Sequence, residues 1–129
     1  MERLPYIDEH AITVHADRTT TWHAVLSTMC SNPDDPETVP FGFVLGAAEQ
    51  PERFACTGRH WFAVYELTFL LSETDGGTRV AAQTRAAFPG VKGSIYRALV
   101  IGSGGHRAVV RHMLKRIAEQ ALSAPAPQR

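Results

Sequence analysis

The sequence has few cysteines, no excess of either charge and no long apolar run. Cys30 and Cys56 are its only cysteines among 129 residues, and two do not make a disulfide framework. Thirteen basic residues balance thirteen acidic ones, so net charge gives no reason to expect nucleic acid or an anionic membrane as a partner. No apolar run approaches the roughly 20 residues that span a bilayer, and residues 1–5, MERLP, do not resemble a signal peptide. We therefore expect a cytoplasmic protein with neither nucleic acid nor a membrane as partner.

The composition is that of one ordinary globular domain. The 44% hydrophobic content argues against a disordered or fibrous chain, and a domain of this length can bury a core. We find no internal repeat and no second hydrophobic unit. We predict a single domain over residues 1–122, followed by a disordered tail over residues 123–129.

The first half of the chain is predicted to contain strands on either side of a short helix. Residues 6–16 alternate apolar and polar side chains, which predicts a strand. Asp17 or Thr19 can cap a helix that follows. One apolar stripe of this helix consists of Trp22, Val25, Leu26 and Met29. Residues 41–47 and 53–57 are predicted to form two further strands.

The strongest local signal is a β-hairpin at Asp75 and Gly76. This dipeptide is typical of two-residue hairpin turns, because such turns need positive φ at both positions. The turn fixes the register of the two strands, and it places Glu66 opposite Arg85 in a pair of opposite charges. On the other face the predicted pairs are Leu71 with Val80, Phe69 with Ala82, and Leu67 with Thr84.

From about residue 94 to residue 122 the hydrophobic period becomes helical. The inward stripe of this helix consists of Ile95, Leu99, Gly102, His106, Val109, Val110, Met113 and Ile117. A helix of about 28 residues runs about 42 Å, and its apolar stripe must cover a sheet. Gly104 and Gly105 are positions where it can kink or break. The whole order of elements predicts an α+β fold, an antiparallel sheet packed against a long C-terminal helix.

Four segments carry a resemblance to a known superfamily. They are the helix start ADRTTTWHAV at 16–25, the strand YELTF at 65–69, the hairpin exit GTRV at 77–80 and the terminal amphipathic helix. Their order and spacing resemble the START/Bet v 1-like helix-grip superfamily (SRPBCC), the polyketide cyclase/dehydrase and lipid transport group. The resemblance implies a curved sheet wrapped around the C-terminal helix, with an apolar cavity between them. It implies ligand binding more strongly than catalysis.

The predicted ligand-binding residues come from both walls of that cavity. They are Trp61, Tyr65, Leu67, Phe69, Thr84, Phe88, Leu99, Gly102, His106 and Val110. Gly102 leaves room for a ligand or for close packing of helix on sheet, and the Tyr65 hydroxyl can orient a polar ligand atom. His106 is the only candidate for a catalytic group, as an acid or base. It also fits a core histidine with a satisfied hydrogen bond.

Neither a cofactor nor a metal is predicted. A dinucleotide-binding fingerprint needs glycine or alanine where the stretch 101–107 has Arg107. His112 lies away from the stripe that carries His106, so zinc binding is not supported. Three hypotheses remain open. The chain is a binding module for a small hydrophobic, lipid- or polyketide-like molecule, a cyclase or dehydratase acting on a polyketide-like substrate, or an interaction domain with a filled core. It could be a monomer or a homodimer.

Overall fold

The computed structural model describes residues 6–39, 43–60, 63–87, 95, 97 and 104–123, with the backbone alone at residues 59, 60, 63, 105, 106 and 123. The elements within these residues are β1 (Tyr6–Val14), α1 (Arg18–Met29), β2 (Phe43–Glu49), β3 (Arg53–His60), β4 (Ala63–Thr74), β5 (Gly77–Ala87) and α2 (Gly105–Ser123). The five strands form one antiparallel sheet in the order β1-β5-β4-β3-β2. The predicted α+β class is confirmed.

The β4–β5 hairpin has the predicted register. Leu71 pairs with Val80, Phe69 with Ala82, Leu67 with Thr84, and Glu66 with Arg85. Gly76 in the turn has φ +85°, in the left-handed region that glycine adopts without strain. This register determines which side chains of the two central strands face the core.

The inward face of the sheet packs against both helices. It consists of the odd-numbered residues of β4, the even-numbered residues of β5, and the even-numbered residues of β1 from Asp8 onward, because paired residues share a face. The predicted stripe of α1 is buried against it, and the Trp22 ring meets the Phe54 ring edge-on, with the centroids 6.3 Å apart. The buried side of α2 consists of Val110, Leu114, Ile117 and Ala121. The buried residues of the sheet, α1 and α2 form one continuous core.

Helix α1 begins where the sequence predicts. The Oδ1 atom of Asp17 accepts a hydrogen bond from the Thr20 backbone N–H at 2.7 Å, so the predicted cap at Asp17 is confirmed. The bounds of the second and third strands differ from the predicted ones. The second strand is Phe43–Glu49 and not 41–47, and the third extends to His60 because it continues to pair with β4 beyond Thr57.

The C-terminal helix is shorter than predicted. Helix α2 has 19 residues and begins at Gly105, which gives a length of about 29 Å. Gly104 has φ +82°, a conformation that a right-handed helix cannot contain. Residues 95 and 97 are helical, but on the other side of this break. One continuous helix from 94 to 122 was therefore wrong, and the break expected at Gly104 and Gly105 is confirmed. Neither α1 nor α2 is long and apolar enough to cross a membrane.

Candidate functional site

The structure describes part of the predicted ligand-binding set. The side chains it describes are those of Tyr65, Leu67, Phe69, Thr84 and Val110. Trp61, Phe88, Leu99 and Gly102 lie outside the described residues, as does the side chain of His106, whose backbone is in the first turn of α2. The roles predicted for these residues stay predictions.

The described members of the set lie on the sheet strands β4 and β5 and on helix α2. Leu67 and Phe69 are inward-facing on β4, and Thr84 lies beside Leu67 on β5. Val110 is buried on α2, and Tyr65 is partly buried farther along β4. Leu67, Phe69 and Val110 belong to the same core cluster, so the fold brings these parts of the predicted sheet and helix faces together. Ile95 and Val109, predicted for the same helix face, are exposed, so that part of the predicted stripe was wrong.

Two polar residues of β1, Asp8 and His10, share this inward face. Asp8 pairs with Thr84 and His10 pairs with Ala82, so both side chains project to the face that carries Leu67. The Nε2 atom of His10 lies 3.2 Å from the Oδ2 atom of Asp8, and the two side chains are only 18% and 24% exposed. When Asp8 is a carboxylate it can only accept, so the hydrogen of this contact then lies on Nε2, and Nδ1 carries the lone pair if the ring is neutral.

This pair was not predicted from the sequence, although a signal for it was present. Ile12 and Val14 are the apolar residues of β1 that face inward, and steps of two back along the strand lead to His10 and Asp8. Following the alternation over the whole strand, and not only over its apolar residues, would have placed both on the inward face.

The Thr84 hydroxyl lies at the centre of this polar region. Thr84 is 2% exposed, and its Oγ1 atom has no hydrogen-bond partner among the described residues. A buried hydroxyl without a hydrogen-bond partner lowers the free energy of unfolding by about 1–3 kcal/mol. Thr68 is its counterpart on the outer face of β4, 3% exposed and likewise without a partner within the described part of the chain. The inward face therefore offers a ligand one buried hydroxyl beside a histidine–aspartate pair.

We expect Thr84→Val to raise the free energy of unfolding of the ligand-free protein by about 1 kcal/mol. The substitution removes a buried hydroxyl without a partner and keeps the β-branched shape that suits a strand. Urea denaturation followed by circular dichroism measures the change. Thr68→Val is the matched control and is expected to give a similar rise. A clear fall with Thr84→Val alone would show that its hydroxyl has a partner in the folded protein.

The two buried cysteines do not supply a nucleophile. Burial raises the pKa of the Cys56 thiol to about 12, and the nearby Cys30 adds to the effect. Burial also raises the pKa of Cys30, whose Sγ atom lies 3.7 Å from the Pro36 carbonyl oxygen. Both thiols are free and stay protonated at neutral pH, so they act as core side chains.

The outer face of the sheet has a depression of its own. Its volume is about 460 Å³, and it is lined by Arg53, Glu66, Thr68, Leu70, Gln83 and Arg85. Arg53 Nη1 lies 2.7 Å from Glu49 Oε1, and the Arg85 guanidinium lies 5.8 Å from the centre of the Tyr6 ring. Both cations therefore interact with neighbouring side chains of the sheet. Among the described residues, no three His, Cys, Asp or Glu side chains are grouped so that they could hold a metal ion.

The sequence matches no protein-family model and no curated protein. The structure is similar to DynU16 from the dynemicin biosynthetic locus, at 14% identity and a TM-score of 0.61, over 89% of this chain and 46% of DynU16. It is similar to the di-domain ARO/CYC BexL from the BE-7585A biosynthetic pathway, at 11% identity and a TM-score of 0.63, over 92% of this chain and 50% of BexL. It is also similar to the protein MLL2253 from Mesorhizobium loti, at 10% identity and a TM-score of 0.66, over 92% of this chain and 98% of MLL2253.

The chain thus spans about half the length of DynU16 and BexL and nearly all of MLL2253. At these identities the likeness shows a shared fold. What the site does has to be argued from its residues.

Proposed function

We propose that this chain binds a small, largely apolar molecule, lipid- or polyketide-like, between the inward face of the sheet and α2. The observation that carries the proposal is the buried Thr84 hydroxyl beside Asp8 and His10 on a mostly apolar face. Binding sites for small molecules have this composition, apolar walls with a few polar groups that orient the ligand. A ligand with an apolar body and one or two oxygen atoms suits such a face.

The proposal includes the helix-grip architecture, in which the sheet curves around the C-terminal helix. Helix α2 packs on β1 and β5 as well as on α1, so it covers the strands that carry the polar groups. The predicted set from Trp61 to Val110 would complete the lining, with Gly102 providing space. The shared fold with DynU16 and BexL, which belong to a biosynthetic locus and a biosynthetic pathway, supports a ligand of the polyketide class.

Native mass spectrometry of the purified protein tests the proposal. We expect a mass above that of the 14.2 kDa chain, which is lost on denaturation and recovered in an organic extract. Thr84→Val is expected to lower the fraction of protein carrying the added mass, because the ligand loses a hydrogen bond. Thr68→Val, on the opposite face, is expected to retain it.

A different result would overturn the proposal. If the purified protein carries no added mass and its experimental structure shows the inward face filled by side chains, the chain is an interaction domain with a filled core. A second candidate function, a cyclase- or dehydratase-type enzyme, is favoured by one observation, the Asp8–His10 contact of 3.2 Å. His106 remains a further candidate for such a reaction.

A further inference from the structure

We infer that Asp8 and His10 form a proton-transfer site for a β-dicarbonyl compound, with His10 as the base and Asp8 as the residue that positions it. The inference rests on the proposed binding function, because the substrate must first occupy the inward face. It assigns the chemistry to β1, for which no functional residue was predicted from the sequence.

The geometry defines one role for each residue of the pair. Both side chains project from one strand two residues apart, so the strand holds them on the same face. The Oδ2 atom of Asp8 accepts from Nε2 of His10 at 3.2 Å, which fixes the ring's tautomer and leaves Nδ1 as its proton acceptor. A base that is oriented by a second group is an arrangement that recurs in general-base catalysis.

The surroundings of the pair add a hydrogen-bond donor and exclude most water. Thr84 is directly across the β1–β5 ladder from Asp8, at a Cβ separation of about 5 Å. Its buried hydroxyl has no partner within the described residues and can donate to an oxygen atom that becomes negative during a reaction. Ala82, opposite His10, is fully buried. The base and the donor therefore lie on the same mostly apolar surface.

The substrate class follows from the strength of the base. A neutral imidazole is a weak base, and the C–H that it takes most readily is an acidic one between two carbonyl groups. Nδ1 of His10 takes this proton, and the electron pair of the C–H bond forms a carbon–carbon double bond. One carbonyl oxygen becomes an enolate oxygen, to which the Thr84 hydroxyl donates. The imidazolium then returns a proton to the carbon, and no oxidant or reductant is needed.

Hydrogen–deuterium exchange of benzoylacetone, a simple β-dicarbonyl, provides the test. The purified protein is mixed with benzoylacetone in D₂O, and loss of the central C–H signal is followed by proton NMR. Binding is measured in parallel by the quenching of tryptophan fluorescence. We expect saturable acceleration by the wild-type protein and a rate about 100-fold lower in His10→Gln, with little change in the half-saturating concentration. His23→Gln is the control, since His23 is exposed on α1, and it is expected to keep the wild-type rate.

Two further variants separate chemistry from structure. Asp8→Asn is expected to lower the exchange rate about tenfold or more and to change the ¹⁵N NMR spectrum of the His10 ring from the Nε2–H tautomer to a mixture. A purely structural role for Asp8 would not change that spectrum. Thr84→Val is expected to lower the rate about tenfold, because the enolate loses a donor.

The outcomes distinguish this inference from the proposed function. Saturable quenching with equal exchange rates in the wild type and His10→Gln would overturn the proton-transfer role and leave the binding function standing. If the wild-type protein neither accelerates exchange nor shows quenching, both the proton-transfer role and the binding function are overturned.

Discussion

Phe54→Ala is expected to lower the free energy of unfolding by about 3–5 kcal/mol. Phe54 is fully buried, pairs with Phe69 on β4, and meets the Trp22 ring edge-on at an interplanar angle of 71°. It therefore joins β3 both to the centre of the sheet and to α1. Truncation removes these contacts and leaves a cavity that the surrounding side chains fill only partly.

Guanidinium denaturation followed by far-UV circular dichroism measures this loss. The control is Val44→Ala on the neighbouring strand β2, where the side chain is 65% exposed. We expect the control to change the free energy of unfolding by less than about 0.5 kcal/mol. A loss below about 1 kcal/mol for Phe54→Ala would contradict the central place that the structure gives to this side chain.

The second large effect is expected from Gly77→Ala, which should destabilise the protein by about 3 kcal/mol. Gly77 begins β5, and a Cβ atom there would overlap the carbonyl oxygen of Val14 and lie 3.1 Å from the Cα atom of His15. Neither neighbour is a flexible side chain that can move aside, so β1 would have to shift away from β5. Because β1 is paired only with β5 within the described part of the chain, we expect its amide protons to lose protection from hydrogen exchange before those of β3 and β4.

Gly76→Ala provides the matched comparison one residue earlier in the chain. Gly76 has φ +85°, and nothing lies within 4 Å of the position that its Cβ atom would take. Its substitution therefore measures only the strain of the left-handed conformation, about 1–2 kcal/mol. If Gly77→Ala proves no more destabilising than Gly76→Ala, the close approach of β1 to β5 is not a constraint on the fold.

The β4–β5 hairpin could be predicted in full because the information that determines it is local. Asp75 and Gly76 fix the turn, and the turn fixes every pair that follows. Alternation of apolar residues and the opposite charges of Glu66 and Arg85 agree with that one register. Helix α1 could also be predicted from the sequence, because its cap at Asp17 and its buried stripe lie within one short segment.

The break before α2 was harder to predict. The helical period of apolar residues continues across Gly104, and a periodic pattern does not show the φ of a single residue. Glycine adopts a left-handed conformation at little cost, so the sequence allowed both a continuous helix and a break. In the structure, the positive φ at Gly104 interrupts the helix at this residue.

The pair of Asp8 and His10 was missed for a different reason. Its significance depends on pairing between β1 and β5, two segments that are far apart in the sequence. No turn links them directly, so no local feature sets their register. Alternation along β1 can place Asp8 and His10 on the inward face, but only the assembled sheet shows that Asp8 lies directly opposite Thr84.

The same distant pairing has a consequence for how ligands can be found. A hydrogen bond from Gln83 to Glu9 spans 74 positions of sequence, and contacts of such separation form only after a large loop has closed. Asp8 and His10 therefore meet Thr84 only in folded molecules. A compound held by these groups binds the native chain and not the unfolded one, so its concentration should raise the melting temperature of the whole domain. A thermal-shift screen can thus identify ligands without an assay for any reaction, and a compound whose effect disappears in Thr84→Val but persists in Thr68→Val binds at the inward face.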